Sequence, residues 1–330
     1  MKISVAIATY NGADYIIEQL DSIRLQSRKV DEVIISDDHS VDKTFEIVEK
    51  YIEKYKLGGW KIVYNAIGKG LKDNFYNAIC QVTGELIFLA DQDNRWFINK
   101  AALIEKIFEE NSQILCLNNS FRYMDGRGCE ISFEDQIGTA NNGLILHEIE
   151  ADVIENIPIS MVINKNIGPG LAMAVRRDIV WLYLRHSKRI ELHDFEINCI
   201  AAEKKGLFFY NKELDFYRIF DGQAVSIGIT KKRTITAILL EKIRQAKEGL
   251  GIRCTFIMEL LDIDSEKEIQ EYLCTLLELQ KVREEVAVCH HIGKWCKEYK
   301  MYKAIKKQYG YVDMRYCYID LLAAFVPNMK

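Results

Sequence analysis

The chain has 330 residues, a formal net charge of -4, 49% hydrophobic and 28% charged residues. That is the balance of an ordinary globular protein with room for one large or two smaller domains. It gives no electrostatic case for nucleic acid, and nine scattered cysteines without a CxxC fit reduced thiols rather than a disulfide framework. The Met1–Ile7 segment is too short and too soon polar for a signal peptide, and no window approaches the roughly 18 apolar residues of a spanning helix. The expected location is cytoplasmic, with peripheral contact at the inner face of an anionic membrane left open.

Ile3–Thr9 reads as a first strand that ends in the turn signal Tyr10-Asn11-Gly12. Apolar residues at helical spacing then carry a helix to about Gln26. Glu32–Ser36 is a second strand running into Asp37-Asp38, and Ser40 is expected to cap the helix that bears Phe45, Val48 and Tyr51. Lys61–Tyr64 is a third strand, Asn65–Lys72 a glycine-bearing loop, and Asp73–Val82 a helix. Glu85–Ala90 is a fourth strand, bounded by Gly84 and by Asp91-Gln92-Asp93-Asn94. Strands alternating with helices imply βαβ units and a parallel sheet, whose carboxyl ends share one edge, where ligands bind in open α/β sheets.

Two carboxylates one residue apart at such an edge are costly to desolvate without a cation or a hydrogen-bonding ligand. Asp91 and Asp93 suit a hard divalent ion, Mg²⁺ or Mn²⁺, which usually takes its remaining ligands from substrate phosphates and water. The plainer alternative is a polar turn that caps the next helix. A dinucleotide site would need GxGxxG after the first strand, and Thr9–Asp14 lacks it.

Three segments together, Val5–Gly12, Ile34–Asp42 and Leu89–Trp96 with its Asp-Gln-Asp-x-x-Trp form, resemble family 2 glycosyltransferases, most nearly the rhamnosyltransferase-like branch. The resemblance is good over about residues 1–110 and patchier to about 226. It implies an α/β GT-A fold, the nucleotide-diphospho-sugar transferase fold with a mostly parallel central sheet, for residues 1–226. Carried over by position, it implies that Thr9, Tyr10 and Asn11 line the nucleotide pocket and that Asp38 bonds the base. Lys72 would approach base or diphosphate, Asp91 would contact ribose or donor sugar, and Asp93 would hold the metal.

Further along, Phe97–Glu110 reads as a helix, Ile114–Leu117 and Phe121–Met124 as short strands, and Asp125-Gly126-Arg127-Gly128 as a turn. Residues 130–166 are weakly patterned and read as an acceptor-side loop. Gly168-Pro169-Gly170 leads into a strand, and Gly170 in the family borders acceptor and donor sugar. His193-Asp194-Phe195 opens a helix and resembles the segment in which the aspartate is the catalytic base. At a helix N-terminus Asp194 is expected to keep a normal or lowered pKa. His193 either contacts the acceptor, supports Asp194 or is merely packed. Tyr217-Arg218-Ile219-Phe220 resembles the family's Tyr-Arg-x-His segment. Arg218 is placed to meet a diphosphate, and Phe220 departs from the usual histidine, with Asp221 as a substitute.

Residues 227–330 change character. Lys231-Lys232-Arg233 is basic, and Ile269, Tyr272, Leu273, Leu276 and Leu277 trace one apolar helix face. This helical C-terminal extension would pack on the catalytic domain or pair with a twin subunit. The combined reading is an inverting, metal-dependent glycosyltransferase. The donor would be a UDP- or dTDP-sugar such as dTDP-rhamnose, and the acceptor a saccharide, free or lipid-linked, of a surface polysaccharide. The rivals are a nucleotidyltransferase and a catalytically silent glycan-assembly scaffold.

Overall fold

The computed structural model describes residues 1–132, 139–145, 147–220, 235–310 and 312–325, without the side chains of 235–239, 241 and 246. The chain divides into two compact units, one of residues 1–158 with 165–224, the other of 159–164 with 225–330.

The first unit opens with β1 (Ile3–Thr9), α1 (Ile16–Arg24), β2 (Glu32–Asp37), α2 (Thr44–Tyr55), β3 (Trp60–Tyr64), α3 (Leu71–Ile79) and β4 (Leu86–Asp91). Every residue of β1 is buried, as befits the continuous apolar run of a central parallel strand. Its parallel neighbours are β2 and β4, so Thr9, Asp37 and Asp91 end up along one edge. The strand β5 (Arg95–Trp96) and helix α4 (Lys100–Glu110) follow.

The far half of the sheet is mixed. β6 (Cys116–Met124) pairs antiparallel with β7 (Glu130–Ile131), and β8 (Ile154–Asn156) pairs antiparallel with the last strand. In the second unit α5 (Ile159–Val162) comes next in sequence, and back in the first unit a 3₁₀ turn at Gly170–Ala172 leads into β9 (Met173–Arg176). The helices α6 (Arg177–His186) and α7 (His193–Glu203) precede β10 (Leu207–Arg218). The main path of the sheet runs β3-β2-β1-β4-β9-β6-β10-β5. β9 runs antiparallel to both β4 and β6, while β6 and β10 form a long parallel ladder with irregular register around Glu213. This is the mixed, mostly parallel sheet of the GT-A fold.

Ser40 does not cap α2. Its hydroxyl and N–H both donate to Asp37, at 2.6 and 2.8 Å. The helix begins four residues later, where Asp42 accepts from the Thr44 N–H at 2.9 Å. The two short strands expected at Ile114–Leu117 and Phe121–Met124 are one, because the buried Asn118, Asn119 and Ser120 between them break the apolar pattern without breaking the ladder.

The second unit is helical, with α8 (Ile235–Leu261), α9 (Lys267–Ala287), α10 (Trp295–Tyr309) and α11 (Arg315–Ala323). The expected apolar face of α9 is buried at Ile269, Tyr272, Leu273 and Leu276, and the Arg283 guanidinium is anchored by Asp320 at 2.6 Å. Among the described residues no helix is long and apolar enough to cross a membrane. Lys231-Lys232-Arg233 and Asp221 lie outside the described residues.

Candidate active site

The crevice at the carboxyl edge is built on backbone held by side chains. Thr9 does not line it: its side chain is buried and Oγ1 donates to Asp37 Oδ2 at 2.9 Å. Tyr10 projects its ring outward, 53% exposed. Its backbone N–H and C=O are both taken by the Gln92 carboxamide, at 2.9 and 3.0 Å. Asn11 sits at φ 49°, a left-handed conformation that asparagine tolerates, and its Oδ1 accepts from the Val41 N–H at 2.9 Å. Asp38 accepts from the Gly70 N–H at 2.7 Å and from Asn65 Nδ2 at 2.9 Å, which ties the glycine-bearing loop to β2. Lys72 does not stand at a phosphate position; its Nζ donates to the Ile190 carbonyl at 2.8 Å and braces the loop ahead of α7.

Gln92 carries a test. A methyl group on Gly12 would overlap Gln92 Oε1 and break both of its bonds to Tyr10. Gly12→Ala and Gln92→Ala are each expected to cost about 1–2 kcal/mol in urea unfolding. The double variant is expected to be no worse than either, since both remove the same interaction; additive losses would show that the bonds are incidental.

Three carboxylates converge on the crevice floor. Asp91, at the end of β4, is pushed up to about 8, first by burial and then by the charges of Asp93 and Asp194. The Tyr217 hydroxyl is pushed up as well, by burial and by the same three carboxylates. Such a cluster holds protons or a cation. Among the described residues no group of three or more His, Cys, Asp or Glu forms a ready-made metal site. Asp91 and Asp93 therefore fit a divalent ion that completes its shell with substrate oxygens and water.

Asp194 lies at the start of α7, a helix whose residues are all buried. The expectation of a normal or lowered pKa fails here: burial outweighs the helix terminus and raises the carboxyl to about 6. Hydrogen bonds restrain the rise, from the Phe195 N–H at 2.8 Å, the Asn166 side chain and the Gly170 N–H. Asn166 is itself oriented by a buried train of carboxamides. Asn118 Nδ2 donates to Asn198 Oδ1 at 2.7 Å, and Asn198 Nδ2 donates to Asn166 Oδ1 at 2.9 Å. His193 stacks on Phe75 at 3.7 Å, and burial pushes it down to about 3, so the ring is neutral. Its Nε2 lies 2.7 Å from where a Gly170 side chain would begin, which leaves room there for glycine alone.

Removing Asn166 removes a bond that favours the ionised form. Asn166→Ala is expected to move the acid limb of the pH–rate profile upward by at least half a unit, measured as kcat/KM; an unmoved limb would detach Asn166 from Asp194 titration.

Residues 4–162 match the family model described as Glycosyl transferase family 2. Residues 4–162, a little under half of the chain, are thus similar to family 2 glycosyltransferases. The poly(ribitol-phosphate) β-N-acetylglucosaminyltransferase TarS of Staphylococcus aureus is 36% identical over 133 residues, which are 39% of this chain and 22% of the relative. A poly(ribitol-phosphate) β-glucosyltransferase of Bacillus spizizenii is 33% identical over 133 residues, 39% of this chain and 20% of the relative. The chain thus spans about a fifth of the length of these curated relatives. In fold it is similar to the crystal structure of S. aureus TarS 1-349 in complex with UDP-GlcNAc (TM-score 0.57, 17% identity, 98% of this chain and 89% of that one). It is also similar to a mannosyltransferase of Pyrobaculum calidifontis in complex with GDP-Man and Mn²⁺ (TM-score 0.51, 17% identity, 98% and 86%).

The match to the family 2 domain ends before Asp194 and Arg218. Arg218 is not open to a diphosphate: it is 1% exposed, bound to Glu18 and donating to the carbonyls of Asp93 at 2.7 Å and Asp125 at 3.1 Å. It fixes the backbone that carries Asp93. Phe220, where the family often has histidine, rests against the Tyr15 ring at 4.7 Å. Gln92, Asn166 and Asn198 were not singled out by the sequence. Gln92 lies inside the Asp-x-Asp segment and Asn166 just ahead of Gly168-Pro169-Gly170, but nothing in either pattern tells what a carboxamide will bond.

Proposed function

We propose that the crevice binds a nucleotide-diphosphate sugar and transfers the sugar, with inversion, to a hydroxyl of a saccharide acceptor. The observation that carries this reading is the convergence of Asp91, Asp93 and Asp194, with Asp194 raised to about 6: a base of that pKa is largely ionised at neutral pH and well matched to proton transfer. Asp194 would take the proton from the acceptor hydroxyl while Gly170 N–H and Asn166 hold its carboxylate in place. Asp91 and Asp93 would hold Mg²⁺ or Mn²⁺, which when bound supplies charge stabilisation to the leaving diphosphate. Neutral His193 packs behind Asp194 without competing for the proton. The Tyr10 and Asn11 backbone, with Asp38, would frame the nucleotide.

The names of the relatives favour N-acetylglucosamine or glucose over rhamnose as the sugar and a polyol-phosphate polymer as acceptor, and the UDP-GlcNAc complex of TarS favours UDP over dTDP as its carrier. We assign catalysis to residues 1–226 and treat 227–330 as a helical extension; a chain ended at 226 is expected to keep nucleotide binding. The test of the reading is turnover of UDP-GlcNAc, UDP-glucose and dTDP-rhamnose with Mn²⁺, read as free nucleotide and as the anomeric configuration of the product by NMR. A UDP-sugar consumed with inversion supports it, consumption of dTDP-rhamnose alone redirects the donor, and no turnover of any donor overturns it. The Phe220 departure favours the silent scaffold as the second reading, and that last outcome is what it expects.

A further inference from the structure

The helix α11 turns an apolar stripe to solvent. Its buried residues are Cys317, Asp320 and Ala323. Opposite them, on the helix and the turn that follows it, stand Tyr318, Leu322 and Phe325, which are 50%, 45% and 67% exposed. Their spacing of four and then three residues puts all three on one side. A surface helix packed on its own core ordinarily shows polar residues there.

The neighbouring helix α10 is basic on its open side. Glu298, Tyr302 and Ile305 are its buried residues, and by helical spacing Lys300, Lys303 and Lys307 lie on the other side, all exposed. Lys297 is also exposed and is paired with Glu278 of α9 at 3.1 Å. Each of the two helices contains one carboxylate, Glu298 in α10 and Asp320 in α11, and both are fully buried. Neither helix therefore sets a negative charge at its surface against these lysines. The lysine side and the apolar stripe adjoin. The Tyr318 ring lies 6.2 Å from the Trp295 ring and 6.5 Å from the Tyr299 ring, both on α10, and Lys303 Nζ lies 4.7 Å from the Tyr299 ring centre.

We propose that this face docks on an anionic lipid surface. Tyr318, Leu322 and Phe325 enter the headgroup boundary, and the lysines of α10 meet the lipid phosphates. An apolar and aromatic stripe bordered by lysines is the pattern of a helix lying in a membrane interface, where long lysine stems stay in apolar contact while their charges reach the headgroups. Charge decides against the other occupants. A second copy of the chain would set lysines against lysines across the interface, and a soluble polyanion would use the lysines but leave the apolar stripe in water.

The test is co-sedimentation of the full chain with two kinds of vesicle, phosphatidylcholine alone and phosphatidylcholine mixed with phosphatidylglycerol. One variant combines Leu322→Glu with Phe325→Glu, and the other combines Lys300→Glu, Lys303→Glu and Lys307→Glu. All five side chains are exposed, so thermal unfolding should match the wild type. Should the apolar double variant fail to fold, Phe325→Ser alone replaces it. The proposal does not rest on the glycosyltransferase reading, because vesicle binding needs no nucleotide.

The expected result is that the wild type sediments with the anionic vesicles and not with the neutral ones, that raised salt weakens the binding, and that each variant loses about tenfold or more in affinity. Absence of binding to the anionic vesicles overturns the proposal. Binding lost in the lysine variant but unchanged in the apolar one assigns the face to a soluble polyanion and overturns it as well. So does self-association, seen by light scattering, that the apolar variant abolishes in a chain that binds no vesicle. Vesicle binding by a chain that never binds UDP upholds the docking face and removes the glycosyltransferase reading.

Discussion

Asp194→Asn is expected to lower kcat by about 10²–10⁴-fold, the usual worth of a positioned general base, with nucleotide affinity unchanged. Asparagine has nearly the same shape and can still accept from the Phe195 N–H, but it cannot take a proton. The pH behaviour separates this role from a structural one. Because Asp194 is raised to about 6, wild-type activity should climb as pH rises through about 6 and level off above it, and any residual activity of the variant should lack that limb. Stability should run the other way. A carboxyl that holds its proton more tightly folded than unfolded contributes stability below its unfolded pKa of about 3.9, and this is lost as pH rises through about 6. At pH 7, where the buried carboxylate is ionised and destabilising, the neutral variant should therefore be at least as stable as the wild type. A variant that loses activity only because it unfolds would remove Asp194 from the chemistry.

Lys100→Met is expected to produce the largest stability loss, about 3–5 kcal/mol. Lys100 and Asp215 are both fully buried and bonded at 2.7 Å. Lys100 Nζ also donates to the Leu171 carbonyl at 2.8 Å and lies 4.5 Å from the Trp96 ring centre. Burial drags the lysine down from its ordinary value while the Asp215 carboxylate pulls it back. Methionine keeps the length but leaves Asp215 with Asn119 Nδ2, at 2.7 Å, as its remaining partner. Replacing both residues, as Lys100→Met with Asp215→Leu, should recover much of the loss, since an apolar pair carries no buried charge. The single variant should also be slow, because Leu171 belongs to the 3₁₀ turn whose Gly170 N–H supports Asp194. Guanidinium unfolding of the four chains measures the cycle; a single-variant loss below about 1 kcal/mol would show that the pair is not coupled to the fold.

The first half of the sheet was legible because β1, β2 and β4 are mostly apolar runs: β1 runs from Ile3 to Thr9 as its pattern says, and the acidic strand ends fall on one edge as parallel strands require. The second half was less so. β6 hides Asn118, Asn119 and Ser120 in its middle, and β5 is two residues long, too short for any periodicity. Candidate site residues were legible where they project from strand ends, as with Asp91 and Asp93. Local reasoning failed where burial decides. Asp194 near a helix start looked like a low-pKa carboxylate, yet desolvation is the larger effect. Arg218 looked like an anion ligand, yet its guanidinium is enclosed by Glu18 and by the carbonyls of Asp93, Asp125 and Gly126, all distant in sequence. Such long-range partners leave no trace in spacing.

The central claim is a cation-assisted nucleotide-diphosphate site at Asp91 and Asp93. Its most direct measurement is calorimetric titration of UDP into the wild type and into Asp93→Ala, with and without Mn²⁺. The account predicts that Mn²⁺ tightens UDP binding by about tenfold or more in the wild type and has no such effect in Asp93→Ala. UDP binding that ignores Mn²⁺, or that survives unchanged in the variant, would contradict it.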